Sequence, residues 1–87
     1  MSEYDIEIQD PVSGNYVVVT AHLYADGEYE YNDDDTGRYA EIVSDPEFRD
    51  YTFEDLETGA IGIMPEDWKP MVDAILCNIY WDREFYR

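Results

Sequence analysis

Ten carboxylates occupy the first 37 residues, which contain no lysine and no arginine: Glu3, Asp5, Glu7, Asp10, Asp26, Glu28, Glu30, Asp33, Asp34 and Asp35. A carboxylate buried without a partner is costly, and this stretch supplies no cation to pair with. These side chains must face water, so the outer face of each acid-bearing strand in this stretch is assigned at once. A one-residue slip in register would turn the acids inward.

The whole chain sets 22 acidic residues against five basic ones, a net charge of −17 over 87 residues. High charge with low hydrophobicity gives a solvated coil. Here 45% of residues are hydrophobic, including nine Tyr, three Phe and two Trp, enough for a core. The length implies one domain, residues 1–87. A chain this short buries only about 60% of its unfolded surface, which leaves little room for a deep substrate pocket. Self-repulsion thins its stability margin, so added salt is expected to stabilise it.

The single Cys77 excludes an internal disulfide and a cysteine zinc cluster. It suits a reducing compartment. The opening MSEYDIEI lacks the basic and apolar regions of a signal peptide, and no apolar run is long enough to span a bilayer. The expected location is the cytoplasm.

Tyr4, Ile6 and Ile8 alternate with acids and read as a half-buried strand. Asp10–Asn15 carries turn residues. Tyr16–Tyr24 is rich in β-branched and aromatic residues and reads as a central strand, with Val17, Val19, Ala21 and Leu23 inward. Asp26-Gly27 is a hairpin signal, with Glu28–Tyr31 as the return strand. Asn32–Gly37 reads as an acidic loop. Tyr39–Val43 fits a strand or a short helix. Ser44–Glu47 resembles a helix start and Thr52–Leu56 a further helical turn. Ala60–Met64 fits an edge strand. Trp68, Met71, Val72, Ile75, Leu76, Ile79 and Tyr80 form an apolar stripe at helical spacing, giving a C-terminal helix over about 66–86. If that helix began at Pro65, Pro70 would kink it.

The predicted fold is α+β: an antiparallel sheet of three or four strands, mainly within 3–43, packed on the C-terminal helix. The expected core comprises Ile6, Ile8, Val17, Val19, Leu23, Ile61, Ile63, Met71, Val72, Ile75 and Ile79.

Catalytic motifs are weak. Read as an EF-hand with Gly37 at position six, the acidic loop would start at Asn32 and place Val43 where a bidentate Glu is needed. His22 is the only histidine and has no triad companion. Cys77 lies among apolar residues and reads as a packed thiol. No acid pair is singled out for glycoside chemistry, and no glycine-rich phosphate loop exists. The expectation is no enzyme, no cofactor and no metal. With no basic patch, direct nucleic-acid binding is disfavoured, as is membrane binding.

The acids themselves have a useful geometry. Alternate residues of a strand lie roughly 6.6–6.8 Å apart on one face. Rows such as Glu3-Asp5-Glu7 and Glu28-Glu30, set side by side in one sheet, would approximate a phosphate array. In size, charge, compact α+β character and the Asp33–Asp35 run, the chain resembles the small acidic nucleic-acid mimics of phages and mobile elements: anti-CRISPR proteins, anti-restriction proteins and uracil-DNA glycosylase inhibitors. The resemblance is one of type, without a diagnostic motif. It implies an inhibitor that blocks the basic groove of a bacterial nucleic-acid-binding enzyme or effector complex.

The electrostatic reading assigns partner binding to Glu3, Asp5, Glu7, Glu28, Tyr29, Glu30, Tyr31, Asp33, Asp34 and Asp35. An alternative face comprises Asp45, Glu47, Asp50, Glu54, Asp55 and Glu57. Competing readings are an immunity protein that neutralises a basic toxin nuclease, an acidic adaptor domain, and a protein adapted to a high-salt cytoplasm. The chain is expected to be a monomer or a homodimer, with Trp81, Phe85 and Tyr86 as the candidate dimer contact.

Overall fold

Acid and apolar residues alternate through Glu3–Gln9, and that segment forms β1, with Tyr4, Ile6 and Ile8 buried and Glu3, Asp5 and Glu7 exposed. A computed structural model describes residues 2–35 and 37–85, except the side chain of Asp34. β2 (Tyr16–Ala25) pairs antiparallel with β1 and sets Ile6 opposite Val19 and Ile8 opposite Val17. The turn between them is closed by Asp10 N–H donating to the Asn15 carbonyl (2.8 Å) and by Gly14 N–H donating to the Asp10 carbonyl (2.8 Å).

β3 (Glu28–Asp34) and β4 (Gly37–Ser44) pair only with each other, as a separate two-stranded sheet. The chain then returns as β5 (Glu47–Asp55), which pairs with β2, and β6 (Ile61–Ile63), which pairs with β5. The main sheet thus runs β1-β2-β5-β6, all antiparallel. A 3₁₀ turn (Glu66–Trp68) leads into α1 (Lys69–Phe85). The fold is α+β, as the sequence predicts. α1 presses Val72, Leu76, Tyr80 and Trp81 onto the core formed by β1, β2 and Phe48 of β5. No described helix is long and apolar enough to cross a membrane.

Several local expectations are overturned. Asp26-Gly27 does not join two paired strands: β2 takes β5 as its neighbour and β3 leaves the sheet. Glu3-Asp5-Glu7 and Glu28-Glu30 therefore lie in different sheets. The Ser44–Glu47 and Thr52–Leu56 segments, read as helical, flank and form β5. Its alternation was masked by a β-bulge, because Thr20 faces Thr52 but His22 faces Arg49. Asp50, with φ 59°, supplies the extra residue. The bulge changes the phase, so that Phe53 and Phe48 both point inward although they lie an odd number of positions, five, apart.

The predicted acidic loop is largely strand, since β3 runs to Asp34 opposite Gly37. Ile61 and Ile63 are 75% and 84% exposed, and Met71 is also exposed, so none of the three is core. The register explains the two isoleucines: they face Glu54 and Thr52 on the side of the sheet away from α1. Tyr4, Phe48, Met64, Trp68 and Trp81 take those places in the core. Pro70 falls in the first turn of α1, where amide donors lack helical partners, so the condition for an interior kink is not met.

The β3–β4 hairpin makes the molecule long. Its extents are 55 × 25 × 23 Å, and its radius of gyration is 15.8 Å. About 12 Å is usual for a compact domain of this length.

Candidate functional site

The hairpin is an arm with a defined neck. Gly27 N–H donates to the Tyr80 hydroxyl (3.1 Å), and that hydroxyl donates to Asp26 Oδ1 (3.4 Å). Where the chain returns, Trp81 Nε1–H donates to Asp45 Oδ1 (3.4 Å). Trp81 stacks on Phe85 (5.3 Å between centroids), and both meet Tyr29 edge-on, at 5.9 Å and 5.0 Å. Trp81 and Phe85, the described members of the candidate dimer contact, thus pack at the root of the arm. Tyr86 lies outside the described residues.

Beyond the neck the arm is open to solvent, and every β4 residue is exposed. Residues opposite one another in the ladder share a face. One face carries Tyr29 with Ile42, Tyr31 with Ala40, and Asp33 with Arg38. Arg38 reaches Asp33 (3.5 Å) and lies over the Tyr31 ring (5.4 Å). The other face sets Glu30 directly against Glu41, with Asn32 Nδ2–H donating to Glu41 Oε2 (3.0 Å). Like charges opposed in a ladder destabilise it, so stability does not account for that pair. Over Glu28–Ser44 the arm holds Glu28, Glu30, Asp33, Asp34, Asp35 and Glu41 against Arg38, a net −5 (six acids, one base). Asp33 and Asp35 are exposed.

Glu3, Asp5 and Glu7 form a separate row on edge strand β1. Thr20 donates its hydroxyl proton to Asp5 Oδ1 (2.7 Å), and His22 Nε2 lies 3.9 Å from Glu3. Tyr31 is 57% exposed, whereas Tyr29 is half-buried in the neck and serves structure first.

The alternative acidic set does not form one face. Asp55 caps the turn after β5: its Oδ1 accepts from Glu57 N–H (2.8 Å) and Thr58 N–H (3.0 Å). Those backbone bonds hold its carboxyl below the usual Asp range. Asp50 sits at the bulge. Glu54 faces the uncovered side of the sheet, opposite Val18 and Ile61. Asp45 and Glu47 border a depression of about 240 Å³ shared with Tyr51, Lys69, Asp73 and Cys77. There the Tyr51 hydroxyl donates to Asp73, and Lys69 lies 3.9 Å from the same carboxylate. Burial, with Asp45 and Asp73 nearby, raises the Cys77 pKa, which keeps the group a thiol. Among the described residues no group of three or more His, Cys, Asp or Glu side chains could hold a metal ion.

Sequence reasoning missed Glu41, Tyr39, Ile42 and Val43 as arm residues. The strand half of the strand-or-helix reading of Tyr39–Val43 held the signal. Comparison with protein families, curated proteins and solved structures finds no match.

Proposed function

We propose that this protein is an acidic inhibitor that occupies the basic nucleic-acid groove of a DNA- or RNA-binding enzyme or effector complex, in the manner of anti-CRISPR and anti-restriction proteins. The observation that carries this reading is the arm: a narrow, exposed two-stranded ribbon of net −5 that extends a 55 Å molecule. A groove built for a nucleic-acid strand lines its walls with Lys and Arg along the backbone path. Glu28 and Glu30 on β3, with Glu41 across from Glu30, offer carboxylates at strand spacing along such a path. The β1 row adds charge that steers the encounter from a distance.

Each exposed ion pair contributes only about 0–1 kcal/mol. Single reversals on the arm should therefore weaken binding little, and Asp33/Asp34/Asp35→Lys together should abolish it. The test is capture of partners from bacterial lysate at low and high salt, read by mass spectrometry, with the triple variant alongside. A nucleic-acid-binding enzyme released by salt or by competing DNA supports the reading. Equal capture by the triple variant removes the arm tip from the interface.

The exposed Tyr31, Tyr39, Ile42 and Val43 favour a second reading. Aromatic and aliphatic anchors suit a protein–protein hot spot more than phosphate mimicry, as in an immunity protein against a toxin nuclease. Capture of one small basic toxin that resists high salt would select it.

A further inference from the structure

The main sheet has two faces, and α1 covers one. The register puts Glu3, Asp5 and Glu7 of β1 on the other face, together with Ile61 and Ile63 of β6. This uncovered face is polarised across the strands. One edge is a row of carboxylates, the centre holds Val18, Thr20, Thr52 and Glu54, and the far edge is aliphatic, with Glu54 directly beside Ile61. Three interstrand spacings separate the edges, about 14 Å. Ile61 and Ile63 are among the most exposed large apolar side chains described. They point away from the core for a reason of register, so the protein's own packing does not account for them.

Charge selects the occupant. Near this face the cation Arg49 is already engaged, 3.4 Å from Glu47 and stacked 3.4 Å over the Tyr24 ring. A second copy of a −17 chain is repelled, and an anionic membrane likewise. A protein segment with Lys or Arg along one flank and Leu or Ile along the other matches both edges. The sheet already seats one helix on its opposite face. A helix is about 10 Å across and fits within the ~14 Å between the edges. A sheet with helices on both faces is a stable layer arrangement.

We propose that the uncovered face of the four-stranded sheet docks a cationic amphipathic helix of a partner protein, its basic flank over Glu3, Asp5 and Glu7 and its aliphatic flank on Ile61 and Ile63. This surface is separate from the arm and does not depend on the mimic reading.

The probes are two synthetic helical peptides of about 18 residues and equal charge, one of Lys and Leu with an aliphatic flank, the other with Ser in place of Leu. Binding is titrated by amide chemical-shift mapping of the labelled full chain at about 0.15 M salt. The Lys/Leu peptide should bind at least tenfold more tightly and shift amides of β1, β2, β5 and β6. Ile61→Ser/Ile63→Ser should remove that preference while leaving the residual, charge-driven binding. Glu3/Asp5/Glu7→Gln should weaken both peptides. Should the isoleucine variant lose its folded circular dichroism signature, the shift map and the peptide comparison on the wild type decide alone. The proposal is overturned by equal affinities, by shifts confined to the arm or α1, or by a preference that survives in a folded isoleucine variant. Self-association of the wild type through Ile61 and Ile63 in sedimentation also overturns it, because the occupant is then a second copy.

Discussion

Replacing Gly27 with Ala tests the neck of the arm. A Cβ at this position would stand 2.6 Å and 2.7 Å from two ring carbons of Trp81 and 3.1 Å from Pro46 Cδ. Carbon atoms pack at about 3.5–4.0 Å, so the ring would have to retreat by about 1 Å. It has little freedom to do so. Trp81 is 8% exposed, stacks on Phe85 at 5.3 Å and meets Tyr80 edge-on at 4.9 Å. Overpacking of this kind costs about 1–3 kcal/mol. Gly27 is not left-handed, because Gly14, Gly37 and Gly59 are the glycines with positive φ. An alanine there would ordinarily stabilise by about 0.4–1 kcal/mol through the unfolded chain. Contacts of 2.6 Å and 2.7 Å on a buried ring put the steric cost in the upper part of that range, about 2–3 kcal/mol, so the net loss is about 1–2.6 kcal/mol. For a domain of this size, the loss lowers Tm by about 4–21 °C. Urea and thermal unfolding at fixed salt measure it. Gly62→Ala is the control, since its Cβ meets only Phe53, at 3.3 Å or more. Its stability should stay within about 1 kcal/mol of wild type. In a Trp81→Phe background, which removes the clashing carbons, Gly27→Ala should cost at least about 1 kcal/mol less. A Gly27→Ala protein that melts at or above the wild-type temperature, with the same urea dependence, would refute the close approach of Trp81 to the neck.

Three further outcomes are expected. Asp50 is held at φ 59° in the β5 bulge, so Asp50→Val should lose about 1–2 kcal/mol in urea unfolding while Asp50→Gly loses nothing. The Asp55 carboxyl is held below its usual range by backbone donors, so its contribution is present above the unfolded Asp value of about 3.9 and disappears as pH falls through the lower folded value. The wild-type advantage over Asp55→Asn should accordingly shrink in acid, and a pH-independent difference would contradict the assignment. Because the net charge is −17, raising NaCl from about 0.05 to 0.5 M should raise Tm, and a flat response would mean that self-repulsion does not limit stability.

Where alternation is unbroken, the strand is legible in the residues. In β1 Tyr4, Ile6 and Ile8 face the core and Asp5 and Glu7 between them face water, and in β2 Val17, Val19 and Ala21 face the core as their spacing requires. The C-terminal helix is equally plain, because its apolar stripe from Trp68 to Tyr80 spans more than three turns. β5 was hidden by one residue: the bulge at Asp50 shifts the phase between Phe48 and Phe53 and so erases the period of two. Gly27 misled in a different way. A glycine after Asp announces a left-handed turn, but here its missing Cβ makes room for Trp81, a contact 54 residues away that local pattern cannot contain.

The acid-bearing faces follow from the sequence alone, since solvation of a carboxylate is a local matter and holds in whatever sheet the strand joins. Which strands become neighbours does not. β2 chooses β5 over β3 because that pairing carries Phe48 and Phe53 to the core side of the sheet beneath α1. The β3–β4 arm is the segment left over when that core closes, and its separation from the Glu3-Asp5-Glu7 row is a result of tertiary packing. So is the exposure of Ile61 and Ile63: two isoleucines read as core from composition alone become surface once β6 pairs with β5 in a register that aims them away from the helix.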